Sequence, residues 1–430
     1  MSHDPKTLKD LDRNLVWHPF TQMRDYQAEE PLIIERGEGC TLYDIDGKAY
    51  LDGISSLWVN VHGHRRAEVD SAIREQLNKI AHSTLLGFGN VPSIELAERL
   101  VDLAADNLTK VFYSDSGSTA VEIALKMAFQ YWYQKGERNR TKFISLKDAY
   151  HGDTVGSVSV GGIDLYHSIF KPLLFESYAI ENFDLKQARK IFTEHGDQLV
   201  ACVIEPMIQG AAGMRVQPAG FVRGIRELCD EFGVLMICDE VATGFGRTGK
   251  MFAVEHEGVR PDFLCLAKGI TAGYLPLAAT LTTERVFEGF QGAYTDFRTF
   301  FHGHSYTGNP LACAAALANL RIFEQDRVLE QLPEKIHFLA EALKKFAGHP
   351  RVKEVRQLGM MVGVELQGFP LERRMAHRVC LEARRRGVLV RPLGDVLVLM
   401  PPLSVTVTEL NTLVTVLYDS FVAQLAREAG

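Results

Sequence analysis

The segment VLMICDEVATGFGRTGK (residues 234–250) starts as a continuous apolar run, reaches Asp239, and continues into a glycine-rich stretch. Residues 244–249 spell G-x-G-x-x-G, a dinucleotide-binding pattern, and residues 244–250 spell most of a P-loop. A P-loop needs Ser or Thr after its lysine to hold magnesium, but Met251 stands there. A dinucleotide site needs a helix directly after the glycines, and the sequence that follows has no apolar stripe. The segment therefore predicts a buried strand that ends in a carboxylate.

Similar apolar runs recur between about residues 90 and 320, among them KVFYSD, KFISLK, LVACVIEP and DFLCLAKG, with amphipathic helices between them. Continuous apolar strands that alternate with helices are typical of a parallel sheet covered on both faces. We predict an α/β fold with a large domain over residues 66–320. Residues 1–65 hold an N-terminal segment and short strands, and residues 321–430 form part of a smaller α+β domain.

Composition excludes several classes of protein. The chain has 430 residues, 46% hydrophobic and 23% charged, with a net charge of −7. That balance is ordinary for a globular protein and offers no basic surface for nucleic acid. The polar start, without an apolar leader, and the lack of long apolar runs predict a cytoplasmic protein that does not insert into membranes. The seven cysteines are scattered, which favours buried, reduced thiols.

A second strand end carries the other informative residue. Lys268 closes the apolar run FLCLAK, twenty-nine residues after Asp239. A lysine at such a position is costly if it is only structural, and a desolvated lysine loses its proton easily and attacks aldehydes. An aspartate that keeps a pyridine nitrogen protonated, together with such a lysine, supplies two anchors for pyridoxal phosphate. A buried Lys–Asp ion pair is the structural alternative.

A phosphate-binding turn is predicted where FYSDSGSTAVEIALKMA passes from strand to helix. Ser116, Gly117 and Ser118 let backbone amides approach a phosphate, and the N-terminus of a helix favours negative charge. We predict a capping box from Thr119 to Glu122 at the start of this helix. Taken alone, the motif fits an ordinary capped helix equally well.

Two further patterns contain residue types that bind ligands. Tyr150, in DAYHGDT, follows another strand and can cover the face of a bound ring, although a core tyrosine is the alternative. The pairs His62/His64 and His302/His304 each form H-x-H. Neither pair has a third ligand at a recognisable spacing, so we predict no metal site.

The motifs together resemble one known family. SDSGSTAVEIALKMA, YHGDT, VIEP, DEVATGFGRTG, LAKGI and HGHSYTGNPLACAAAL are similar to segments of class III aminotransferases of fold type I, and they cover nearly the whole chain. The resemblance implies a transferase that uses pyridoxal 5'-phosphate. It also implies a large domain with a mostly parallel sheet, a small domain built from both chain ends, and a homodimer with active sites at the subunit interface.

The resemblance assigns cofactor roles residue by residue. Lys268 would bond to the cofactor aldehyde, Asp239 would pair with the pyridine nitrogen, and Tyr150 would stack near the ring. The implied phosphate ligands are Ser116, Gly117 and Ser118, and, from the other subunit, His304 and Ser305. The last two stand where many members have Pro-Thr, and a serine keeps the hydroxyl donor.

The resemblance also implies a substrate site. Its residues would be Phe20, Leu57, Trp58, Tyr150, Arg247, Gly303 and Arg391. Arg391 would bind a substrate carboxylate with its planar guanidinium, for which a surface ion pair is the alternative. WHPFTQM, GISSLW, GFGRTGK and RPLGD point further, to the branch of the family that acts in biotin biosynthesis.

The amino donor stays open at this stage. Members of that branch that use S-adenosylmethionine usually have Tyr after W-H-P and a Trp-Trp pair after Ser-Ser. This chain has Phe20 and Leu57-Trp58 at those positions. The segments SSLWVNVHGHR and AHSTLLG also resemble members that use L-lysine. S-adenosylmethionine is the default of the branch and is our formal expectation.

Overall fold

The computed structural model describes residues 4–429. Its strands are β1 (Ile34–Glu38), β2 (Thr41–Asp44), β3 (Ala49–Asp52), β4 (Leu108–Ser114), β5 (Lys142–Leu146), β6 (Ser177–Ile180), β7 (Leu199–Ile204), β8 (Ile208–Gln209), β9 (Arg215–Val216), β10 (Leu235–Asp239), β11 (Phe263–Leu266), β12 (Ala278–Thr283), β13 (Val352–Leu358), β14 (Met361–Leu366), β15 (Val388–Leu389), β16 (Arg391–Leu393) and β17 (Val396–Leu399).

The helical segments are α1 (Pro5–Leu15), α2 (Met23–Ala28), α3 (Ser55–Trp58), α4 (Ala67–Leu77), α5 (Val91–Leu103), α6 (Gly117–Gln134), α7 (Val155–Ser159), α8 (Asp164–His167), α9 (Leu185–His195), α10 (Phe221–Phe232), α11 (Glu284–Glu288), α12 (Pro310–Gln325), α13 (Val328–Leu343), α14 (Met375–Arg385) and α15 (Val407–Ala429). Short 3-10 helices lie at Ser168–Leu173, Ala253–His256, Lys268–Thr271, Tyr294–Asp296 and Leu371–Arg373.

A seven-stranded sheet forms the centre of the molecule, in the order β4-β12-β11-β10-β7-β5-β6. β12 pairs antiparallel with both neighbours, whereas the pairs from β11 through β6 are parallel. Every residue of β7, β10 and β11 is buried, as expected for parallel strands covered by helices on both faces. The predicted α/β fold is confirmed, and β10 and β11 end side by side at Asp239 and Leu266.

Helix α6 begins three residues earlier than the predicted capping box. Ser116 is the N-cap, with extended φ and ψ, and its side chain accepts a hydrogen bond from the Thr119 amide. Thr119 is the third residue of the helix, where its side chain accepts the backbone amide of Ser116 and completes the capping box. Glu122 instead accepts hydrogen bonds from Thr154 and Ser157, across the neighbouring loop.

The two ends of the chain meet in one smaller sheet of order β1-β2-β3-β15, where β3 pairs in parallel with β15. A second small sheet has the order β13-β14-β17-β16. The boundary expected at residue 320 falls inside α12, which runs unbroken to Gln325 and packs through Ala315, Ala318 and Ile322 against Val69 of α4. The predicted boundary therefore lies within a helix, and the division of the chain into domains stays a prediction.

Two expectations about the chain's surroundings can be compared with the structure. Across residues 4–429, no helix has both the length and the apolar character that a membrane crossing requires. All seven cysteines are free and buried.

Candidate active site

A cavity of about 700 Å³ lies at the carboxyl ends of the central strands. This is the edge of an open α/β sheet where ligands usually bind. The predicted residues that line this cavity are Trp58, Ser116, Gly117, Ser118, Tyr150, Asp239 and Lys268. The fold thus collects side chains that are up to 210 positions apart in the sequence, from Trp58 to Lys268.

Lys268 follows β11 directly and opens a short 3-10 helix with a positive φ of 45°. Its Nζ lies 5.0 Å from the ring centroid of Trp58. Burial lowers the pKa of Lys268 below its ordinary value, although the carboxylates of Asp239 and Glu205 oppose this effect. A lysine with a lowered pKa supplies more of the neutral amine that attacks an aldehyde.

Asp239 is held in place by two donors. Its Oδ1 accepts the Val241 amide at 3.0 Å, and its Oδ2 lies 2.7 Å from Nδ1 of His151. His151 is fully enclosed, and its Nε2 has no partner among the described residues. Burial works against the charged imidazole, but the hydrogen bond to Asp239 raises the pKa of His151 above its ordinary value. Asp239 therefore sits against two donors that orient its carboxylate.

Sequence reasoning missed His151 and Glu205, although both stand in the motifs YHGDT and VIEP. Glu205 accepts hydrogen bonds from the amides of Tyr150 and Gly210, at 3.2 and 2.9 Å. Burial raises its pKa to about 7, an effect that His151 reduces and Asp239 increases. The available signal was a polar residue at the end of another buried strand, because β7 ends one residue before Glu205.

The start of α6 forms the other end of the cavity. The Thr119 amide donates to Oγ of Ser116, and the Ala120 amide donates to the Ser116 carbonyl. This leaves the Gly117 and Ser118 amides at the free N-terminus of the helix, where an anion is favoured. A Cβ on Gly117 would lie 2.5 Å from Cγ1 of Val241, so only glycine fits at that position without a shift.

Tyr150 stands over the cavity within an aromatic group. Its hydroxyl donates to Asp153 at 2.8 Å, and its ring lies nearly parallel to His167 at 6.2 Å. Phe20, from the N-terminal segment, contacts Tyr150 edge to face at 6.4 Å and Tyr166 at 5.6 Å. Phe20 is thus brought to the cavity entrance from a segment far away in the sequence.

Arg391 lines a second cavity, of about 630 Å³, which also reaches Phe20. In the same cavity Arg374 pairs with Asp25 at 2.7 Å and His377 pairs with Glu29 at 2.9 Å. Arg391 has no ion-pair partner within residues 4–429, which leaves its guanidinium free to bind a carboxylate. Because Phe20 contacts Tyr150, the two cavities adjoin one another at this aromatic residue.

Trp58 reaches the main cavity from an unusual turn. Ser55, Ser56, Leu57 and Trp58 have φ values of 50°, 48°, 78° and 68°, so α3 is a left-handed turn. Its hydrogen bonds run from the Trp58 amide to the Ile54 carbonyl, at 2.7 Å, and from Val59 to Ser55. For residues other than glycine, the left-handed conformation costs about 1–2 kcal/mol each.

Besides Phe20, Arg391 and Arg247, four predicted site residues lie outside the main cavity of this chain: Leu57, Gly303, His304 and Ser305. Leu57 is 46% exposed and belongs to neither of the two cavities described. Gly303 lines a separate apolar depression with Leu86 and Phe88. His304 lies 3.9 Å from Asp115, and the Ser305 carbonyl contacts His82 at 2.7 Å.

Arg247, a predicted substrate residue, is held by contacts within the protein. Its side chain is 1% exposed and is not among the residues that line the two cavities described, and its contact with a substrate stays a prediction. The guanidinium donates to Ser55 Oγ and to the carbonyls of Asn60 and Pro401, at 3.2, 2.7 and 2.7 Å. Burial lowers the pKa of Arg247 to about 10, with Asp52 acting in the opposite direction. Arg247 joins the large unit to segments from both chain ends.

The residues of the main cavity fit pyridoxal phosphate. The free end of α6 suits the phosphate, the buried Asp239 suits a protonated ring nitrogen, and Lys268 provides the amine. Tyr150 and Trp58 supply flat walls on the same cavity.

Comparison with known proteins places the chain in a class. The family model described as aminotransferase class-III matches residues 23–421, and the chain belongs to this family. It is therefore a pyridoxal-phosphate-dependent aminotransferase. The fold agrees, because an amine transaminase from an uncultivated Pseudomonas species, solved in its PLP-bound form, matches with a TM-score of 0.91 and 38% identity. That match covers 95% of this chain and 99% of the other.

More specific relatives share one name. The adenosylmethionine-8-amino-7-oxononanoate aminotransferase of Nitratidesulfovibrio vulgaris is 56% identical, over 97% of this chain and 82% of the relative. That of Anoxybacillus flavithermus is 52% identical over 95% of both chains. The crystal structure of the Methanocaldococcus jannaschii enzyme of that name matches with a TM-score of 0.96 and 46% identity. It covers 98% of this chain and 99% of that chain.

Proposed function

We propose that this aminotransferase converts 8-amino-7-oxononanoate to 7,8-diaminononanoate in biotin biosynthesis, with S-adenosylmethionine as the amino donor. The observation that carries the proposal is near-full-length identity of 50–56% to three bacterial relatives of that name. The cavities support it, because the main one holds the family's lysine and aspartate and the adjoining one holds a free arginine. A long keto acid has both a carbonyl for the first cavity and a carboxylate for the second.

Lys268 performs the proton transfers. When bound, pyridoxal phosphate supplies an aldehyde that bonds to amines and a ring that accepts the electron pair released at the amine's α-carbon. Burial lowers the pKa of Lys268 and so favours its neutral amine, whose Nζ would move the proton of the substrate amine's α-carbon. The Trp58 ring, 5.0 Å away, limits the directions in which the amine can move.

Asp239 and His151 set the charge at the far end of the cavity. With pyridoxal phosphate bound, the carboxylate of Asp239 would pair with the ring nitrogen and favour its protonated form, which supplies the stronger electron sink. His151 and the Val241 amide occupy two acceptor positions of the carboxylate and so fix its plane. Arg391 then orients the keto acid through its carboxylate, with two parallel hydrogen bonds as the favoured geometry.

L-Lysine is a second candidate for the amino donor. The observation that favours it is the pair of aromatic changes at the cavity entrance. Phe20 has no hydroxyl, although its ring still contacts Tyr150. Leu57 stands where a second tryptophan is usual, and it offers no flat wall for an adenine ring. Another ω-amino-acid transaminase activity of the same family is the remaining alternative.

We also propose a homodimer with shared active sites. Leu86, Phe88, Val91 and Ile94 expose 61–75% of their surface and form an apolar area next to Gly303. The contact of His82 with the Ser305 carbonyl joins this area to the segment that carries His304 and Ser305. Burial of the area against a second copy would bring that segment to the partner's phosphate site. A cytoplasmic location fits the seven buried free thiols.

A panel of donors tests the proposal. The protein loaded with pyridoxal phosphate is mixed separately with S-adenosylmethionine, L-lysine and simple ω-amino acids, and loss of the cofactor's aldehyde absorbance is followed. We expect S-adenosylmethionine to react. Reaction with lysine alone would identify L-lysine as the amino donor. Reaction only with ω-amino acids would contradict a role in biotin biosynthesis. If lysine alone reacts, the double variant Phe20→Tyr/Leu57→Trp shows whether these two residues set the choice.

A further inference from the structure

The left-handed turn α3 is the longest run of non-glycine residues with positive φ between residues 4 and 429. Elsewhere in that range such residues occur singly or, at Asn182 and Phe183, as a pair. The turn ends at Trp58, whose indole is 7% exposed and forms a wall of the main cavity beside Lys268. A turn of this kind does not persist unless surrounding groups determine it.

Asp52 is the main group that does so. Its carboxylate is fully buried and accepts the amides of Ile54 and Ser56, at 3.2 and 3.1 Å, and the Ser56 hydroxyl at 3.1 Å. The same carboxylate lies 2.9 Å from Nε2 of His64. Nδ1 of His64 is 3.1 Å from the Asn60 side-chain amide, so the ring proton sits on Nε2 and points at Asp52.

Arg247 holds the same turn from its other side. The guanidinium donates to Ser55 Oγ, and Ser55 Oγ in turn donates to the Met400 carbonyl at 2.6 Å. The Asn60 carbonyl, just after the turn, is a second acceptor for Arg247. Burial lowers the pKa of Arg247, and the nearby Asp52 opposes this effect.

We propose that Asp52 is a positioning residue for the active site. It keeps α3 left-handed and thereby holds the Trp58 indole against the cavity before any cofactor or substrate binds. Without it, the backbone relaxes toward conformations that residues other than glycine prefer, and the indole leaves the cavity wall. The proposal rests on the proposed function only in taking the cavity lined by Trp58 as the active site. It holds for any amino donor.

The first test measures the position of Trp58 in the cofactor-free protein. In a Trp17→Phe background, which removes the 88% exposed tryptophan, acrylamide quenching of fluorescence reports Trp58 and the buried Trp132. The Trp17→Phe/Trp58→Phe protein gives the Trp132 contribution for subtraction. We expect Asp52→Ala to raise quenching of Trp58 severalfold and to lower kcat/KM with any donor that reacts.

The second test asks whether the loss arises from backbone strain. Glycine adopts positive φ readily, so Ser56→Gly added to Asp52→Ala should restore the turn, and the Ser56 hydroxyl has by then lost its partner. We expect a recovery of kcat/KM of about fivefold to thirtyfold, the factor that removal of one left-handed non-glycine residue gives, and a return of quenching toward the original value. Arg327→Gly is the matched control, since Arg327 also has positive φ, 50°, but lies outside the cavities.

Three results would overturn the proposal. One is unchanged Trp58 quenching in Asp52→Ala, and another is equal recovery by Ser56→Gly and Arg327→Gly. If Asp52→Ala does not fold, Asp52→Ser is used, because its single hydroxyl cannot accept the two backbone amides, the Ser56 hydroxyl and His64 together. Unchanged Trp58 quenching in Asp52→Ser would then be the third. If none of the donors reacts but Asp52→Ala still raises the quenching of Trp58, the result would count against the proposed function and not against the role of Asp52.

Discussion

Lys268 combines a position at a strand end with an enclosed amine, and both properties matter for its role. We predict that Lys268→Ala abolishes turnover while the protein still folds and binds pyridoxal phosphate without a covalent bond. The physical reason is that, among residues 4–429, Lys268 is the one lysine that lines the main cavity and could move the α-proton. Single-turnover absorbance with the reactive donor measures the loss.

Lys335→Ala is the control for this variant. Burial also lowers the pKa of Lys335, but its ammonium donates to the Leu403 carbonyl, outside the cavities. Turnover close to that of the unmodified protein is expected. Activity retained by Lys268→Ala would remove the lysine from the mechanism.

Arg391 is the residue for which the structure adds most to the sequence. Sequence alone favoured an ion pair at the surface, whereas the fold leaves its guanidinium free in a cavity next to Phe20. We predict that Arg391→Ala raises KM for the keto acid by about tenfold to a hundredfold, because a hydrogen bond to a charged group contributes roughly 1.5–3 kcal/mol. Cofactor affinity should not change.

Steady-state kinetics at a series of keto acid concentrations measure this KM. Arg384→Ala is the matched variant from the same cavity. Arg384 reaches the Glu30 carbonyl, 3.4 Å away, so its loss should affect KM little. Equal effects of both variants would mean that the cavity attracts anions generally and that Arg391 is not a specific ligand.

At the scale of elements, the start of α6 depends on close packing against Val241. We predict that Gly117→Ala weakens pyridoxal phosphate binding at least tenfold, because the new Cβ would lie 2.5 Å from Val241 Cγ1 and displace the amides that face the phosphate. Equilibrium titration of the cofactor-free protein measures the affinity.

Val241→Ala provides the test of this cause, since it removes the colliding methyl groups. The double variant Gly117→Ala/Val241→Ala should bind the cofactor more tightly than Gly117→Ala alone. If the two substitutions weaken binding additively, the collision is not the reason and Gly117 acts through backbone freedom.

Elements were predicted best where one local rule dominates. The apolar runs of β7, β10 and β11 follow from burial on both faces, and they fixed the edge where Asp239 and Lys268 meet. The capping box was placed wrongly because only Thr119 and Glu122 match the Ser/Thr-x-x-Glu/Gln pattern, whereas in the structure Ser116 is the N-cap and the Thr119 hydroxyl completes the box. The left-handed turn had no sequence signal, because Ser55–Trp58 contains no glycine and its conformation is imposed by Asp52 and Arg247.

At the scale of the whole molecule, the sequence could not predict contacts that depend on distant segments. Arg247 stands in a motif, yet its guanidinium bonds to Ser55, Asn60 and Pro401, which the sequence does not bring near it. His151, in the motif YHGDT, was given no role from the sequence. Its role follows from the 2.7 Å contact of its Nδ1 with Oδ2 of Asp239. Long-range packing decides both.

The exposed apolar area around Phe88 predicts assembly. We expect a dimer in sedimentation experiments, and we expect Phe88→Glu to shift it toward monomer and to reduce turnover, because a buried charge without a partner destabilises an interface. Val422→Glu, at a residue 42% exposed on α15, is the control and should leave the dimer intact. A fully active monomer would contradict shared active sites.

The proposed reaction moves an amine from S-adenosylmethionine to 8-amino-7-oxononanoate. S-adenosylmethionine labelled with ¹⁵N at its amine tests this transfer when the products are followed by mass spectrometry. We expect 7,8-diaminononanoate carrying one ¹⁵N, formed by the unmodified protein and absent with Lys268→Ala. No diaminononanoate from S-adenosylmethionine, or diaminononanoate without the label, would contradict it.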